Sequence, residues 1–467
     1  MFDLNIQFVA ENEKCLYEQI YEHIKHEIRE GKLLCGERLP STRYLAEYLQ
    51  VSRSTTSFAY EQLVSEGYIE SRQGKGYFVC KMEELYRLEN TMADSFTEPM
   101  ANQAYEGIDF SPTKIDMSHF PFGVWRKINK GILSDERSEL FLSGNPKGDR
   151  SLREAICDYL HASRGVNARP EQIIVGAGNG YLLMLLEKIL GRHVPVAMDG
   201  LTYKRAYRIL DSFAYPITTL PMDDSGMVVS ALYDTDVRLV YVMPARQYPL
   251  GHVMPIGRRS ELLKWANEKD GRYLIEDDYD SEFRYKGKPI PSLQALDKTG
   301  KVIYLGTFSK SIAPAIRVSY MVLPKELLEE YDNKCYFYSA TVSRIDQKIL
   351  EEFIRGGYFE RYLNKMRKVY REKHDLLLEV LEPFSRDFVI GGENAGLHML
   401  LKDKKGRSEA ELLERAREKG VSVYGLSETV IAGAELPKEA TILLGYGALT
   451  EKQILEGIEK LKIAWHV

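Results

Sequence analysis

A lysine, two hydroxyls and an arginine lie close together in the sequence and suit the binding of a phosphorylated aldehyde. Lys310 follows Thr307 and Ser309 in the stretch 306–310, and Arg317 lies a short distance further on. A lysine amine forms a Schiff base with an aldehyde, and hydroxyls together with a guanidinium group can bind a phosphate. These residue types predict a covalent aldehyde site centred on Lys310.

Acidic residues upstream could tune the electronics of such a ligand. The aliphatic stretch 273–275 ends in Asp277 and its acidic neighbours, and a second apolar stretch, 302–305, ends just before Thr307. Both stretches have the pattern of buried strands, and ligands collect at the carboxyl ends of strands in an open α/β sheet. We therefore expect both strand ends to face one crevice. The alternative is a solvated Lys310 beside an ordinary strand-end turn.

The composition is that of a globular protein with several domains. The chain has 467 residues, 44% of them hydrophobic, and a formal net charge of -5; this length predicts roughly two to four domains. The charge gives no general attraction for nucleic acid, so DNA binding would need a local basic surface. The five cysteines are widely spaced and form no paired motif, which predicts reduced thiols and no metal site. The sequence has no signal-peptide pattern or membrane-spanning stretch, so we expect a cytoplasmic protein.

Residues 1–80 have the pattern of a helix-turn-helix. Apolar residues recur at every fourth position over 16–28, which predicts an amphipathic helix. Ser41 or Thr42 can cap a second helix, and Ser52 begins a third helix after a tight turn. The start of this third helix presents side chains suited to phosphates and base edges, namely Ser52, Arg53, Ser54, Thr55 and Thr56.

A hairpin is predicted after the third helix. Residues 68–79 contain Gly74-Lys75-Gly76, which places Lys75 at the tip of a wing. Together these segments resemble the winged helix-turn-helix of the GntR regulators, through residues 39–43 and 51–53. The resemblance implies that Arg43, Arg53 and Lys75 contact DNA, and the predicted interface also includes Ser52, Thr55, Thr56 and Arg72. The alternative is a helical docking module with solvated arginines.

The rest of the chain divides into a connector and one large domain. Residues 81–107 are acidic and lack apolar periodicity, which predicts a linker, or alternatively a structured part of the larger domain. Residues 108–467 repeat strand and helix patterns typical of a mainly parallel sheet with helices on both faces. The whole chain resembles the MocR/GabR regulators, in which a GntR-type domain is fused to a fold-type-I aminotransferase-like domain. The resemblance implies a small C-terminal α+β subdomain at about 360–467.

The same resemblance implies pyridoxal 5'-phosphate (PLP) as cofactor. Lys310 would bind it as a Schiff base, and Asp277 would pair with its pyridinium nitrogen. Tyr279 would hydrogen-bond the ring hydroxyl, while Tyr203 would lie near the ring face or be an ordinary half-buried tyrosine. The phosphate would be held by Gly178, Asn179, Thr307, Ser309 and Arg317.

Some positions depart from the family pattern. Leu443 stands where aminotransferases carry an arginine that holds a ligand carboxylate, which argues against efficient transamination. Arg205, or Arg246 in place of a histidine common in the family, could instead meet an anionic effector; either could equally be a salt-bridged surface arginine. Ser143 replaces a tyrosine that in relatives reaches the partner protomer's cofactor.

We expect a PLP-dependent transcriptional regulator. Its N-terminal domain would bind an operator in double-stranded DNA, and its large domain would sense an amino acid, an amine or PLP itself. The family resemblance implies a domain-swapped homodimer. Two alternatives stay open: an aminotransferase with an attached DNA-binding domain, for which we expect at most a vestigial half-reaction, and a regulator for which PLP is the signal.

Overall fold

The chain divides into two compact units, residues 1–103 and 104–467. The computed structural model describes residues 6, 14–81, 107–134, 138–285, 290–392 and 396–467. The predicted linker, residues 81–107, lies outside the described residues except at its two ends. Among the described helices, none is long and apolar enough to cross a membrane.

The first unit contains a three-helix core followed by a hairpin. Its helices are α1 (Leu16–Arg29), α2 (Thr42–Tyr48) and α3 (Arg53–Ser65), and its antiparallel strands are β1 (Ile69–Arg72) and β2 (Gly76–Val79). Ile20, Ile24 and Ile28 of α1 are buried because their four-residue spacing places them on one face of the helix. The winged helix-turn-helix predicted from the sequence is therefore confirmed.

The second unit alternates strands and helices over most of its length. Its strands are β3 (Ile108–Asp109), β4 (Ile173–Gly176), β5 (Val196–Asp199), β6 (Ile217–Leu220), β7 (Met222–Asp223), β8 (Gly226–Met227), β9 (Leu239–Val242), β10 (Tyr273–Asp278), β11 (Val302–Thr307), β12 (Ser319–Val322), β13 (Phe388–Gly391), β14 (His398–Asp403), β15 (Val421–Ser422), β16 (Tyr424–Gly425) and β17 (Thr441–Gly445). Its helices are α4 (Phe122–Ser134), α5 (Arg150–Arg164), α6 (Asn179–Leu190), α7 (Lys204–Ser212), α8 (Ile256–Asn267), α9 (Phe308–Ser311), α10 (Lys325–Lys334), α11 (Arg344–Arg355), α12 (Tyr358–Leu381), α13 (Glu409–Glu418) and α14 (Glu451–Trp465).

A seven-stranded sheet positions the candidate site. Its strand order is β4-β12-β11-β10-β9-β5-β6, and β12 runs antiparallel to both of its neighbours. Every residue of β10 and β11 is buried, as expected for central strands covered by helices on both faces. Asp278 pairs with Gly306 in their parallel register. The acidic end of β10 and the start of the lysine segment therefore lie side by side, as the sequence predicted.

The C-terminal part of the second unit has its own sheet and core. Strands β13, β14, β17 and β16 form an antiparallel sheet, and β3 pairs with β15 in parallel. Phe110 follows β3 and packs with Met399, Leu444 and Trp465 in one apolar cluster. The segment that begins at residue 108 thus joins a core built mainly from the C-terminal part of the chain.

Candidate functional site

Lys310 lies in a cavity at the carboxyl ends of the central strands. The short helix α9 follows β11 directly, and Thr307 caps it by accepting a hydrogen bond from the Ser309 backbone N–H (3.2 Å). Lys310 Nζ donates to the backbone oxygen of Thr113 at 2.6 Å. Burial lowers the pKa of the Lys310 ammonium to about 8. A lysine with a lowered pKa supplies more of the neutral amine that attacks an aldehyde.

The cavity has a volume of about 250 Å³ and is lined mainly by the segments that follow strands. It contains eight of the predicted cofactor residues, and the ninth, Gly178, immediately precedes one of them. The lining residues are Pro112, Thr113, Asn179, Gly180, Leu183, Tyr203, Arg205, Ala206, Ile209, Met243, Tyr248, Asp277, Tyr279, Asp280, Thr307, Ser309, Lys310, Pro314, Arg317, Leu397 and His398.

Asp277 presents a buried carboxylate to this cavity. Asn179 Nδ2 donates to Asp277 Oδ1 at 3.3 Å, and the Tyr241 hydroxyl donates to Oδ2. Burial raises the pKa of Asp277 to about 6 in spite of both hydrogen bonds. A cation placed in the cavity would favour the ionised carboxylate. The site therefore fits a ligand that carries a protonated ring nitrogen.

Backbone and side-chain donors form an anion-binding cradle where β4 meets α6. Gly178 has φ +94°, and a Cβ atom there would lie 2.3 Å from Arg317 Nη2. Arg317 Nη2 donates to the Ala177 oxygen at 3.3 Å, and the helix start at Asn179 adds backbone N–H groups. In the described part of the chain, Ser309 Oγ is buried without a hydrogen-bond partner. This donor set fits a phosphate group.

Three tyrosines line the cavity beside the lysine. The Tyr248 ring contacts both Tyr203 and Tyr279 edge-on, with ring centroids 6.2 and 6.0 Å apart. Arg246 Nη1 donates to the Tyr279 hydroxyl oxygen at 3.2 Å. Burial raises the pKa of Tyr279 well above its ordinary value, so the phenol is neutral near pH 7. Tyr279 can therefore donate its own hydrogen to a ligand.

The structure gives the two effector candidates different surroundings. Arg205 is exposed and lines the cavity, and within the described residues no ion pair involves it. Arg246 is 3% exposed, is not among the lining residues, and forms a 2.8 Å ion pair with Asp280. Arg205 is consequently the candidate that is exposed and lines the cavity.

Leu443 and Ser143, two of the positions that depart from the family pattern, are not among the cavity-lining residues. Leu443 is 1% exposed and packs with Leu400 and Leu426 in a small apolar cluster. Ser143 is exposed, in the segment that precedes α5. Leu443 therefore contributes apolar packing and offers no donor for a carboxylate.

Sequence reasoning missed His398, which β14 brings into the cavity. His398 Nε2 lies 2.7 Å from the carbonyl oxygen of Pro249, so Nε2 carries the hydrogen. Burial, and next the charge of Arg246, hold the pKa of His398 well below its ordinary value. The ring is therefore neutral, and Nδ1 is an acceptor. A single buried histidine far from Lys310 in the sequence gives no signal that distinguishes it from a core residue.

A candidate DNA interface lies on the first unit. Arg43, Arg53 and Lys75 are all exposed. Ser52 caps α3 by accepting from the Thr55 backbone N–H at 3.2 Å, and the two hydroxyl oxygens lie 2.8 Å apart. The start of α3 thus presents a preformed polar surface.

Two residues of the predicted interface have partners within the first unit. Thr56 is fully buried, and its hydroxyl donates to the carbonyl oxygens of Thr42 and Arg53 at 2.9 and 3.0 Å. Its inclusion in the interface is wrong, because the helical periodicity turns this side chain inward. Arg72 forms a 2.6 Å ion pair with Glu70 and lies over the Phe78 ring.

Arg38 is a basic residue of this surface that sequence reasoning missed. Arg38 is exposed, and its backbone forms an isolated antiparallel β-bridge with Phe78 of β2. A Cβ atom on Gly76 would lie 3.4 Å from Arg38 Nε, so this guanidinium is beside the wing tip. Its position between helices in the sequence gives no hint of this proximity, which the tertiary fold creates.

Two family models match the chain. The model for bacterial regulatory proteins of the gntR family matches residues 16–79, and the model for aminotransferase class I and II matches residues 114–461. Among the described residues, no group of three or more His, Cys, Asp or Glu side chains is arranged to hold a metal ion.

Relatives extend this similarity over nearly the full length. The uncharacterized HTH-type transcriptional regulator YdeL of Bacillus subtilis is 40% identical over 453 residues, covering 97% of each chain. The probable rhizopine catabolism regulatory protein MocR of Rhizobium meliloti is 31% identical over 469 residues, covering 96% of this chain and 94% of its own. The crystal structure of kynurenine aminotransferase from Pyrococcus horikoshii, in complex with PMP, is similar with a TM-score of 0.69 and 26% identity, covering 82% of this chain and 98% of its own.

The fold and the cavity define an aminotransferase-type domain with PLP as its cofactor, joined to a DNA-binding winged helix-turn-helix. The chain belongs to the MocR-type family, in which these two domains form a PLP-dependent transcriptional regulator.

Proposed function

We propose that this regulator senses a small amine or amino acid at the PLP cavity and transmits its presence to operator DNA. The observation that carries the proposal is the cavity around Lys310, where a lysine with a lowered pKa, a buried carboxylate and an exposed arginine line one space. When bound, PLP supplies an aldehyde that binds the lysine covalently and can exchange it for another amine.

Each cavity residue has a role in this proposal. Lys310 would hold PLP and exchange it for an incoming amine, while Asp277 would keep the ring nitrogen protonated. Tyr279 would donate to the ring oxygen, and Tyr203 would lie near the ring face. The phosphate would be bound by Gly178, Asn179, Thr307, Ser309 and Arg317.

Arg205 gives the site its proposed preference for effectors with an anionic group. Arg205 is exposed and lines the cavity, whereas Leu443 is enclosed in an apolar cluster. A guanidinium fork binds a carboxylate in bidentate fashion. An amino acid could therefore place its amine toward Lys310 and its carboxylate toward Arg205.

The regulator is proposed to act as a domain-swapped homodimer on paired operator sites. The second unit exposes large apolar side chains at Phe122, Phe141, Leu142 and Phe337, with relative exposures of 61%, 71%, 67% and 76%. Contiguous exposed apolar surface marks interaction sites, and we infer that these side chains contribute to one. Arg43, Arg53 and Lys75 of each protomer would contact one operator half-site, so that an effector that favours one arrangement of the dimer changes operator affinity.

A screen of amines and amino acids against the PLP-loaded protein tests the sensing role. We expect an effector to change the visible absorbance of the bound cofactor and, at the same concentrations, the affinity for the operator. Arg205→Gln should weaken the response to carboxylate-bearing effectors, whereas Arg208→Gln, which changes an exposed arginine of the same helix outside the cavity lining, should not. Equal responses of the two variants would contradict the role of Arg205.

The position of Leu443 also favours a second candidate, in which PLP itself is the signal. An apolar residue in place of the carboxylate-binding arginine removes one ion pair that would hold the carboxylate of an amino acid. Operator binding by the PLP-free and PLP-loaded proteins separates the candidates, because identical affinity and footprint in both states would exclude PLP as the signal. Rapid steady-state turnover with ordinary amino donors would instead favour an aminotransferase.

A further inference from the structure

The buried ion pair between Arg246 and Asp280 lies directly behind a cavity residue. Arg246 Nη1 is 2.8 Å from Asp280 Oδ2 and 3.2 Å from the Tyr279 hydroxyl oxygen. Arg246 and Asp280 are 3% and 4% exposed. A buried guanidinium that is already paired is poorly placed to receive an anion from solvent, so its contact with Tyr279 needs another explanation.

The direction of the hydrogen bond supplies that explanation. An arginine guanidinium has five N–H donors and no acceptor, so the Tyr279 oxygen must accept from Arg246. The phenol hydrogen is then free to point to another acceptor, and Tyr279 lines the cavity. We propose that Arg246 is a positioning residue that fixes Tyr279 as a hydrogen-bond donor to the ring oxygen of PLP.

The surrounding packing holds the guanidinium in this position. Gly396 has φ +86°, and a Cβ atom there would lie 1.9 Å from Arg246 Cζ, so the guanidinium group occupies the space that any other residue would fill. The Gly396 oxygen accepts hydrogen bonds from the Tyr285 and Tyr446 hydroxyls. The segment leading into β14 therefore covers Arg246 and restricts its movement.

Other charged and titratable groups face this pair from several elements. Those around Arg246, Asp280 and Lys310 are Asp277 and Asp278 at the end of β10, Tyr279 directly after it, Tyr248 in the loop after β9, His398 on β14, Tyr285 and Tyr446, and Arg164 and Arg284, which line a small cavity with Arg246 and Asp280. Arg205 lines the cavity from α7. Asp280 favours the protonated form of Lys310, and Arg246 disfavours it. Removing Arg246 would therefore take away a positive charge and free the Tyr279 hydroxyl to turn away from the ring oxygen of PLP. Both changes would favour a proton on the nitrogen that joins Lys310 to PLP.

The test is a pH titration of the visible absorbance of PLP-loaded protein without effector or DNA. Arg246→Met should raise the pH midpoint of the absorbance change by about one pH unit or more. Arg246→Lys keeps a charged donor without an acceptor, so its midpoint should stay within about 0.3 unit of the wild-type value. Arg208→Gln is the control, because it removes an exposed arginine of α7 that does not line the cavity, and its midpoint should equal the wild-type value. A wild-type midpoint in Arg246→Met would overturn the proposal.

A double-mutant cycle with Tyr279→Phe separates positioning from charge. If Arg246 acts through the phenol, Tyr279→Phe raises the midpoint, and the double variant shifts by clearly less than the sum of the single shifts. Full additivity would overturn the proposal. If Arg246→Met does not fold, Arg246→Gln replaces it in the cycle, and full additivity with Tyr279→Phe again overturns the proposal. Because no effector or operator is present, failure of the sensing proposal leaves this test unaffected.

Discussion

Asp277 and Lys310 have pKa values shifted in opposite directions by the same cause. Burial raises the pKa of Asp277 to about 6 and lowers that of Lys310 to about 8. Both shifts favour the neutral form of the group, because burial disfavours charge. PLP offers each residue a partner: a ring nitrogen for the carboxylate and an aldehyde for the neutral amine.

Asp277→Asn is predicted to weaken PLP binding by about 10- to 100-fold, since a hydrogen bond to a charged group contributes roughly 1.5–3 kcal/mol. In the wild-type protein, PLP affinity should fall as the pH drops through about 6 and Asp277 takes up a proton. The variant should lack that dependence. Fluorescence titration with PLP across this pH range measures both effects.

Asp199→Asn is the matched control for this experiment. Asp199 is a buried carboxyl residue at the end of β5 in the same sheet, its pKa is raised to about 7 by burial, and it is not among the cavity-lining residues. We expect this variant to bind PLP like the wild type. Equal losses in both variants would mean that the effect reflects folding and not contact with the cofactor.

The rate at which PLP attaches to the PLP-free protein should follow the ionisation of Lys310. As the pH rises toward about 8, the fraction of neutral amine increases about tenfold per unit, and above that pH the rate should level off. Stopped-flow absorbance gives this profile. For an exposed lysine analogue, the rate of reaction with PLP should continue to rise up to about pH 10.4. The same profile in the protein would contradict the burial of Lys310. Lys310→Ala should lack the covalent absorbance band.

At the scale of elements, Thr56 joins the two helices of the helix-turn-helix. Its hydroxyl bonds the Thr42 carbonyl at the start of α2 and the Arg53 carbonyl of α3. Thr56→Val should lower the free energy of unfolding by about 1 kcal/mol. This change corresponds to about fivefold faster hydrogen exchange in peptides from α2 and α3. Mass spectrometry of the full chain measures this exchange. Unchanged exchange would show that the two helices do not depend on this contact.

Arg53→Ala should produce the complementary result. Arg53 is exposed at the start of α3, so exchange within the helices should remain unchanged while operator affinity falls by about fivefold or more, as for loss of a side chain that contacts DNA. Binding measured over several salt concentrations should also show a smaller salt dependence if the contact is to a phosphate. Wild-type operator affinity in this variant would remove Arg53 from the interface.

At the scale of the whole molecule, the exposed apolar residues of the second unit predict association. Phe337→Glu should disrupt the proposed dimer by placing a charge in an apolar interface. Light scattering coupled to size exclusion should then show a monomer. Leu436→Glu is the matched control, because Leu436 is also exposed (67%) but lies on the C-terminal part of the unit. Dimers of unchanged stability in Phe337→Glu would contradict the proposed interface.

Much of the fold was predictable because local patterns and the architecture agree. The buried strands β10 and β11, the acidic end of β10 and the lysine segment after β11 follow each other in an order that defines one edge of a parallel sheet. The predicted interface failed at Thr56, where a polar residue at the start of a helix is turned toward a neighbouring carbonyl. Residue type alone does not specify which face of a helix is buried.

The sequence by itself determined the chemistry of this protein: a lysine for an aldehyde, donors for a phosphate, a carboxylate at a strand end and a winged helix-turn-helix. These signals are local, since each depends on residues close together in the chain. The tertiary structure decided which distant residues line the cavity and which are enclosed behind it. It left Arg205 accessible from the cavity, enclosed Arg246 with Asp280 behind Tyr279, and brought His398 to the same space. Burial and pairing arise only when separate segments pack together, so a sequence pattern cannot specify which of two arginines remains free to bind a ligand.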